Sequence, residues 1–155
     1  MSATTTSTPA QQSYLRTRVQ TARPEELRLM LFDGALRFAS LARAAIEANQ
    51  PEQTYEGVTR CQAILLELIN SLQSEHDPEL CSNLSALYTF MYTRLMEACN
   101  QRSTDIVDEV ISLLQYERET WLLLMEKLAA ENASAAAAFP TGTADAPNSG
   151  ISVQG

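Results

Sequence analysis

The chain has 155 residues, 45% of them hydrophobic, with a formal net charge of −8 and a pI near 4.6. That length and apolar content suit one domain with a real core. The acidic balance excludes nucleic acid or an anionic membrane as the main partner, because phosphate binding needs a basic face.

Taken in order, residues 1–13 are Ser, Thr, Gln and Ala without a charged side chain, too polar to offset their ordering entropy, and are expected to be a disordered tail. The start carries no basic stretch followed by an apolar one, and the longest apolar run, Trp121 to Met125, is too short to span a bilayer, so the chain reads as cytoplasmic. Tyr14, Leu15 and Val19 follow in a segment too short for a stable free helix, which is expected to dock on the body. Pro24 suits a first helical position, with Glu25 and Glu26 beside the positive end of the dipole, and Asn49, Gln50 and Pro51 mark the end of that helix. Pro51 opens a second long helix whose Val58, Cys61, Leu65, Leu68 and Leu72 keep a 3-4-3-4 spacing. Asp77 caps a third, with Leu80, Leu84, Leu87, Met91, Leu95 and Ala98 in one seam and Tyr88 and Cys99 beside it. Ser103 caps a fourth, predicted from about Thr104 to Ala130, with Val107, Val110, Leu114, Trp121, Leu124 and Leu128 facing inward and Glu117 interrupting the seam. Residues 14–131 thus make the folded domain, and 132–155 an Ala-rich stretch, expected as frayed helix, passing into a disordered tail. Four apolar seams joined by short connections make an all-α, antiparallel up-down four-helix bundle with a short N-terminal cap segment.

The Pro24 helix carries more apolar surface than one core needs. Leu27, Leu31, Ala35, Phe38, Ala42 and Ala45 make a core seam, while Leu29, Phe32 and Leu36 form a second stripe on the side of Glu26, Asp33, Ser40 and Glu47. Burying such side chains is worth roughly 1.5 to 3 kcal/mol each, so the stripe calls for a cover: the Tyr14 segment, a second copy, or a partner laying in an amphipathic segment. Phe90, among Asn83, Arg94, Glu97 and Gln101, is a further apolar residue that the core does not explain.

Catalysis finds no support. A di-iron bundle needs two Glu-x-x-His motifs, and the single histidine, His76, lies in a loop where it is expected to be solvated. No nucleophile and His base share a helix context, and no Gly-rich phosphate loop exists; Gly34 reads as a close-approach position inside the bundle. Cys61, Cys81 and Cys99 lack C-x-x-C spacing and read as reduced core residues. The acids Asp105, Asp108, Glu109, Glu117, Glu119 and Glu126 read as a solvated face, with an electrostatic rim for a partner as the alternative. No cofactor or metal is expected.

These residues resemble one family. Tyr14, the run from Thr21 to Leu27 (Thr-Ala-x-Pro-Glu-Glu-Leu), Met-Leu-Phe-Asp-Gly-Ala from Met30 to Ala35, Asn-Leu-x-x-Leu-Tyr-x-Phe-Met from Asn83 to Met91, Arg-Leu-x-x-Ala from Arg94 to Ala98, and Asp-Glu-Val-x-x-Leu-Leu from Asp108 to Leu114 with Trp121 stand in the order found in FliS, the bacterial flagellar secretion chaperones. The resemblance covers about Tyr14 to Trp121. It implies a non-enzymatic cytoplasmic chaperone that binds the disordered C-terminal region of flagellin, prevents premature polymerisation and aids delivery to the export apparatus. Export-gate components and other flagellar regulators are further candidate partners, the chain being a monomer or weak homodimer. It casts Leu29, Phe32 and Leu36 as one contact surface, Phe90 as a second and Tyr14 as a movable lid. The competing reading is a homodimeric helical adaptor or structural protein. Two departures stand out: Arg23 replaces the family's usual Ser, leaving the Pro24 helix with a looser cap or one supplied by Thr21, and the family's Gly-Gly turn is replaced around Glu75 to Pro78.

Overall fold

The structure is a computed structural model that describes residues 8–72 and 77–138, and all regular structure among them is helical. The disorder expected for residues 1–7 and 139–155 and the loop position of His76 lie outside the described residues. The helices are α1 (Pro9–Thr21), α2 (Pro24–Glu47), α3 (Pro51–Asn70), α4 (Pro78–Gln101) and α5 (Thr104–Ala138).

The starts follow the chemistry of their first residues. Proline stands in the first turn of α1 to α4, where its missing N–H costs no helical bond. The Asp77 carboxylate accepts from Leu80 N–H at 3.1 Å, and the Ser103 hydroxyl accepts from Ile106 N–H at 3.4 Å. Arg23 supplies no side-chain cap to α2; instead the Glu26 carboxylate accepts from Arg23 N–H at 3.4 Å. Thr21 does not help, because its hydroxyl donates back to Thr17 C=O at 2.9 Å within α1.

One helix outruns expectation, and another continues regularly through the stretch expected to fray. Residues 9–13, read as disordered, belong to α1, where Thr8 and Gln11 form a reciprocal capping box. At the other end, the alanines of the stretch after Ala130 extend α5 to Ala138, consistent with the high helix propensity of Ala. At 1.5 Å per residue, α5 is about 52 Å long while α2 and α4 are about 36 Å, so its last turns project past the body.

α2 packs against α3 and α5, and α4 packs against the same two helices. Arg43 pairs with Asp108, Asp33 with Arg118, and Trp121 Nε1 donates to Glu25 C=O at 3.0 Å, so α2 and α5 run in opposite directions. α2 and α3 do the same: Arg28 meets Ser71 near one end, Ala35 C=O accepts from the Cys61 thiol at 3.4 Å, and Ala42 crosses Gly57. That crossing is tight. A Cβ on Gly57 would lie 2.9 Å from Ala42 N and 3.0 Å from Phe38 O, so only glycine lets the two backbones approach. A Cβ on Gly34 would meet only the Ile64 Cδ1 tip at 3.0 Å.

The close approach at Gly57 accompanies a core face of α2 rotated from the expected seam. Phe32, Ala35, Ala39, Ala42 and Ala45 are buried, whereas Leu27, Leu31 and Phe38 lie half-buried on the flank. Opposite them stand Val58, Cys61, Leu65 and Leu68 of α3, Tyr88, Met91, Leu95 and Ala98 of α4, and Val107, Val110 and Leu114 of α5. The buried Gln62 is satisfied by donating from Nε2 to Tyr92 C=O at 3.1 Å. The seams do not persist to both ends. Leu80, Leu124 and Leu128, expected inside, are exposed, while Leu72 and Trp121 are half-buried.

Candidate partner-binding site

Those thinned seams share one end of the molecule. The α2 start, the α3 end and the middle of α5 meet there through Arg28, Ser71, Glu25 and Trp121, and α1 joins the same end through Ala22 and Arg23. An open groove of about 550 Å³ lies there, with Leu27, Leu31 and Trp121 as its apolar lining and Glu25, Arg28, Glu67, Asn70 and Ser71 as polar lining.

Arg28 organises the groove's inner wall. Its guanidinium donates to Tyr88 Oη at 2.8 Å and to Ser71 Oγ at 3.1 Å. Its carbon lies 5.7 Å from the Phe32 ring centre, 6.0 Å from Tyr88 and 5.1 Å from Trp121, within cation–π range of all three. The Phe32 and Tyr88 rings are tilted at 56° with centres 6.5 Å apart, an attractive edge-oriented pair. Burial pushes the Tyr88 phenol above its ordinary range, with Arg28 opposing the shift. Burial also raises the Glu117 carboxyl, and the nearby Arg28 charge partly offsets it. The acid that interrupts the α5 seam therefore sits in the field of the one guanidinium at this wall.

The five side chains singled out in the sequence fall in different places. Phe32 does not lie on an open stripe: it is 1% exposed, because the rotated α2 face sends it inward with Ala35, Ala39 and Ala42, where its ring packs on Tyr88. Leu29 and Leu36 remain half-buried, and Leu36 packs against the core. Phe90 is 45% exposed on α4. Tyr14 is 66% exposed on α1, which has no buried residue, so the docked N-terminal segment expected from the sequence is not seen. None of Leu29, Leu36, Phe90 and Tyr14 is among the residues that line the groove. Sequence reasoning missed Arg28, which as one cation among many carries no local signal, and missed Glu67, Asn70 and Ser71, which line the groove only because α3 ends beside the start of α2.

Among the described residues, no group of three or more His, Cys, Asp or Glu side chains is placed to hold a metal ion. No helix among them is long and apolar enough to cross a membrane. Burial pushes the Cys61 thiol up to about 12, far from the thiolate that a nucleophile requires.

The family model described as "Flagellar protein FliS" matches residues 6–128. The chain is similar to the flagellar secretion chaperone FliS of Bacillus subtilis (strain 168), at 36% identity over 109 residues, 70% of this chain and 80% of that one. It is also similar to the flagellar secretion chaperone FliS of Campylobacter jejuni, at 38% over 98 residues (63% and 77%), and to that of Escherichia coli (strain K12), at 36% over 106 residues (66% and 76%).

Proposed function

The chain belongs to the FliS family, and on that premise we propose that it is a cytoplasmic, non-enzymatic export chaperone that binds the disordered C-terminal region of flagellin. In this role it prevents premature polymerisation and aids delivery to the flagellar export apparatus. Export-gate components and other flagellar regulators are the further partners such a role invites. Its relatives are named as flagellar secretion chaperones, which supports the export role. We take its four longer helices to form an antiparallel up-down bundle, because each packs on two neighbours and α2 runs opposite to both α3 and α5.

One observation carries the binding role: an apolar groove stands open at the end of the molecule where α1 is attached and unburied. A disordered ligand that folds as it binds supplies its own apolar helical face to such a surface, and its ordering entropy keeps affinity moderate enough for release. Leu29, Leu36 and Phe90 serve as further contacts along the wrapped ligand. Tyr14 serves on the mobile cover. Phe32 contributes from beneath, by fixing Tyr88 and Arg28 at the groove wall.

The test is a polymerisation assay. Adding the chain to monomeric flagellin should delay filament growth in proportion to its concentration, and unchanged growth at a several-fold excess of the chain would defeat the proposal. A homodimeric adaptor is the second reading, favoured by the exposed Leu123, Leu124 and Leu128 on the projecting part of α5. Light scattering that returns a dimer at low micromolar concentration would favour it.

A further inference from the structure

The groove at the α2 and α3 ends is apolar inside and acidic at its rim. Glu25 and Glu67 both line it and both are exposed. The end of α3 adds to this. Glu67 stands in its last turn and no basic residue does; the carbonyls of Glu67, Leu68 and Ile69 already accept from Ser71 and Leu72, but this end remains the negative end of the helix dipole. Arg28 is the one cation among the groove's lining residues. Its guanidinium is already committed to Ser71, Tyr88 and three aromatic rings, and the half-buried Glu117 lies in its field. Among the lining residues, Glu25 and Glu67 stand against Arg28, a surplus of one negative charge.

The α1 segment, joined to the groove's edge through Ala22 and Arg23, has the opposite character. From Thr8 to Arg23 the chain carries Arg16, Arg18 and Arg23 and no acid, in a protein whose net charge is −8. α1 buries no residue against the groove, but a basic, part-apolar helix is the chemical complement of an acidic, apolar groove.

We propose that this groove selects a cationic amphipathic helix: apolar side chains enter between Leu27, Leu31 and Trp121, while a Lys or Arg flanking them pairs with Glu67 in the field of the α3 dipole's negative end, and a second with Glu25. This specificity rests on the flagellin-binding reading above and adds to it the chemistry of the ligand segment that occupies this groove. Glu67 and Glu25 are the specificity residues, and Arg28 holds the wall against which the ligand lies.

Trp121, the single tryptophan, lines the groove and serves as the reporter. The full chain is titrated with a peptide from the C-terminal region of flagellin and with the same peptide carrying Gln at every Lys and Arg, at low and at high salt. The native peptide is expected to bind about three- to tenfold more tightly at low salt, the advantage fading as salt screens it. Glu67→Gln, which keeps the side chain's shape, should reduce that advantage, and Glu67→Gln with Glu25→Gln should remove it. Glu52→Gln, an equal charge change at the start of α3, should not. Equal affinity of the two peptides, or an advantage that survives the double substitution, overturns the specificity while leaving flagellin binding intact. If neither peptide binds, the flagellin reading fails. A synthetic amphipathic helix with lysines on its polar face then tests the groove alone, and its failure to bind better than a glutamine version overturns the specificity too.

Discussion

Arg28 in the first turns of α2 donates to the phenol oxygen of Tyr88 in the middle of α4 at 2.8 Å, tying together helices that are not neighbours in the chain. Tyr88 is fully buried, so its hydroxyl depends on this guanidinium. Arg28→Met keeps much of the stem packing but leaves the hydroxyl unpaired, and should destabilise the fold by about 1–3 kcal/mol. Tyr88→Phe removes the hydroxyl instead, and since Arg28 keeps Ser71 and its access to water, the loss should be smaller, about 1 kcal/mol. Urea unfolding of both variants measures the order.

The two glycines facing the α2–α3 seam should respond differently. Gly57→Ala drives a methyl into the backbone of Ala42 and Phe38, which cannot move without parting the helices, and should cost about 1–3 kcal/mol despite better helix propensity. Gly34→Ala meets the flexible end of Ile64, and a propensity gain of up to about 1 kcal/mol should leave it neutral or stabilising. Thermal melts of the pair decide this, and equal losses would contradict the geometry.

Much of this was readable in the sequence and some was not, for physical reasons. Pro24, Pro51, Asp77 with Pro78, and Ser103 located four helix starts, because helix caps are local chemistry. The seams of α3, and of α5 as far as Leu114, were legible for the same reason: one clean stripe leaves one choice of face. α2 offered two stripes, and which one turned inward depended on how closely α3 approaches at Gly57, a contact between distant segments. Choosing the larger leucine flank as the core put Phe32 on the wrong side. The groove was less visible still, since Arg28 and Ser71 are 43 residues apart and Arg28 and Tyr88 are 60 apart. The exposure of α1 followed from no local pattern.

Glu117 gives the fold a pH signature. The folded chain keeps this proton to higher pH than the unfolded chain, whose value is near 4.5. Between the two values the folded state binds more protons, so stability from this group falls as pH rises through that interval, and below 4.5 the penalty is absent. Glu117→Gln should flatten the pH dependence over that window and gain relative to wild type above it. Urea midpoints from pH 4 to 7 report the difference, and an identical slope in both proteins would show that Glu117 is not held against its charge.

The cysteines should separate by access. Cys61 is buried with its thiol raised to about 12, while Cys81 and Cys99 are partly exposed. Brief alkylation of the folded chain should modify Cys81 and Cys99 and spare Cys61 until denaturant is added. Mass spectrometry of the labelled peptides reads this directly.

The most direct test of the central claim is calorimetric titration of the full chain with a peptide from the C-terminal region of flagellin, repeated with Leu36→Ser and Phe90→Ser after circular dichroism confirms that each variant is folded. Neither position belongs to the fully buried core, unlike Phe32. Saturable micromolar binding by the wild-type chain, weakened about tenfold or more by one or both substitutions, is the expected result. No binding at tens of micromolar peptide, or variants that bind as well as wild type, would contradict it.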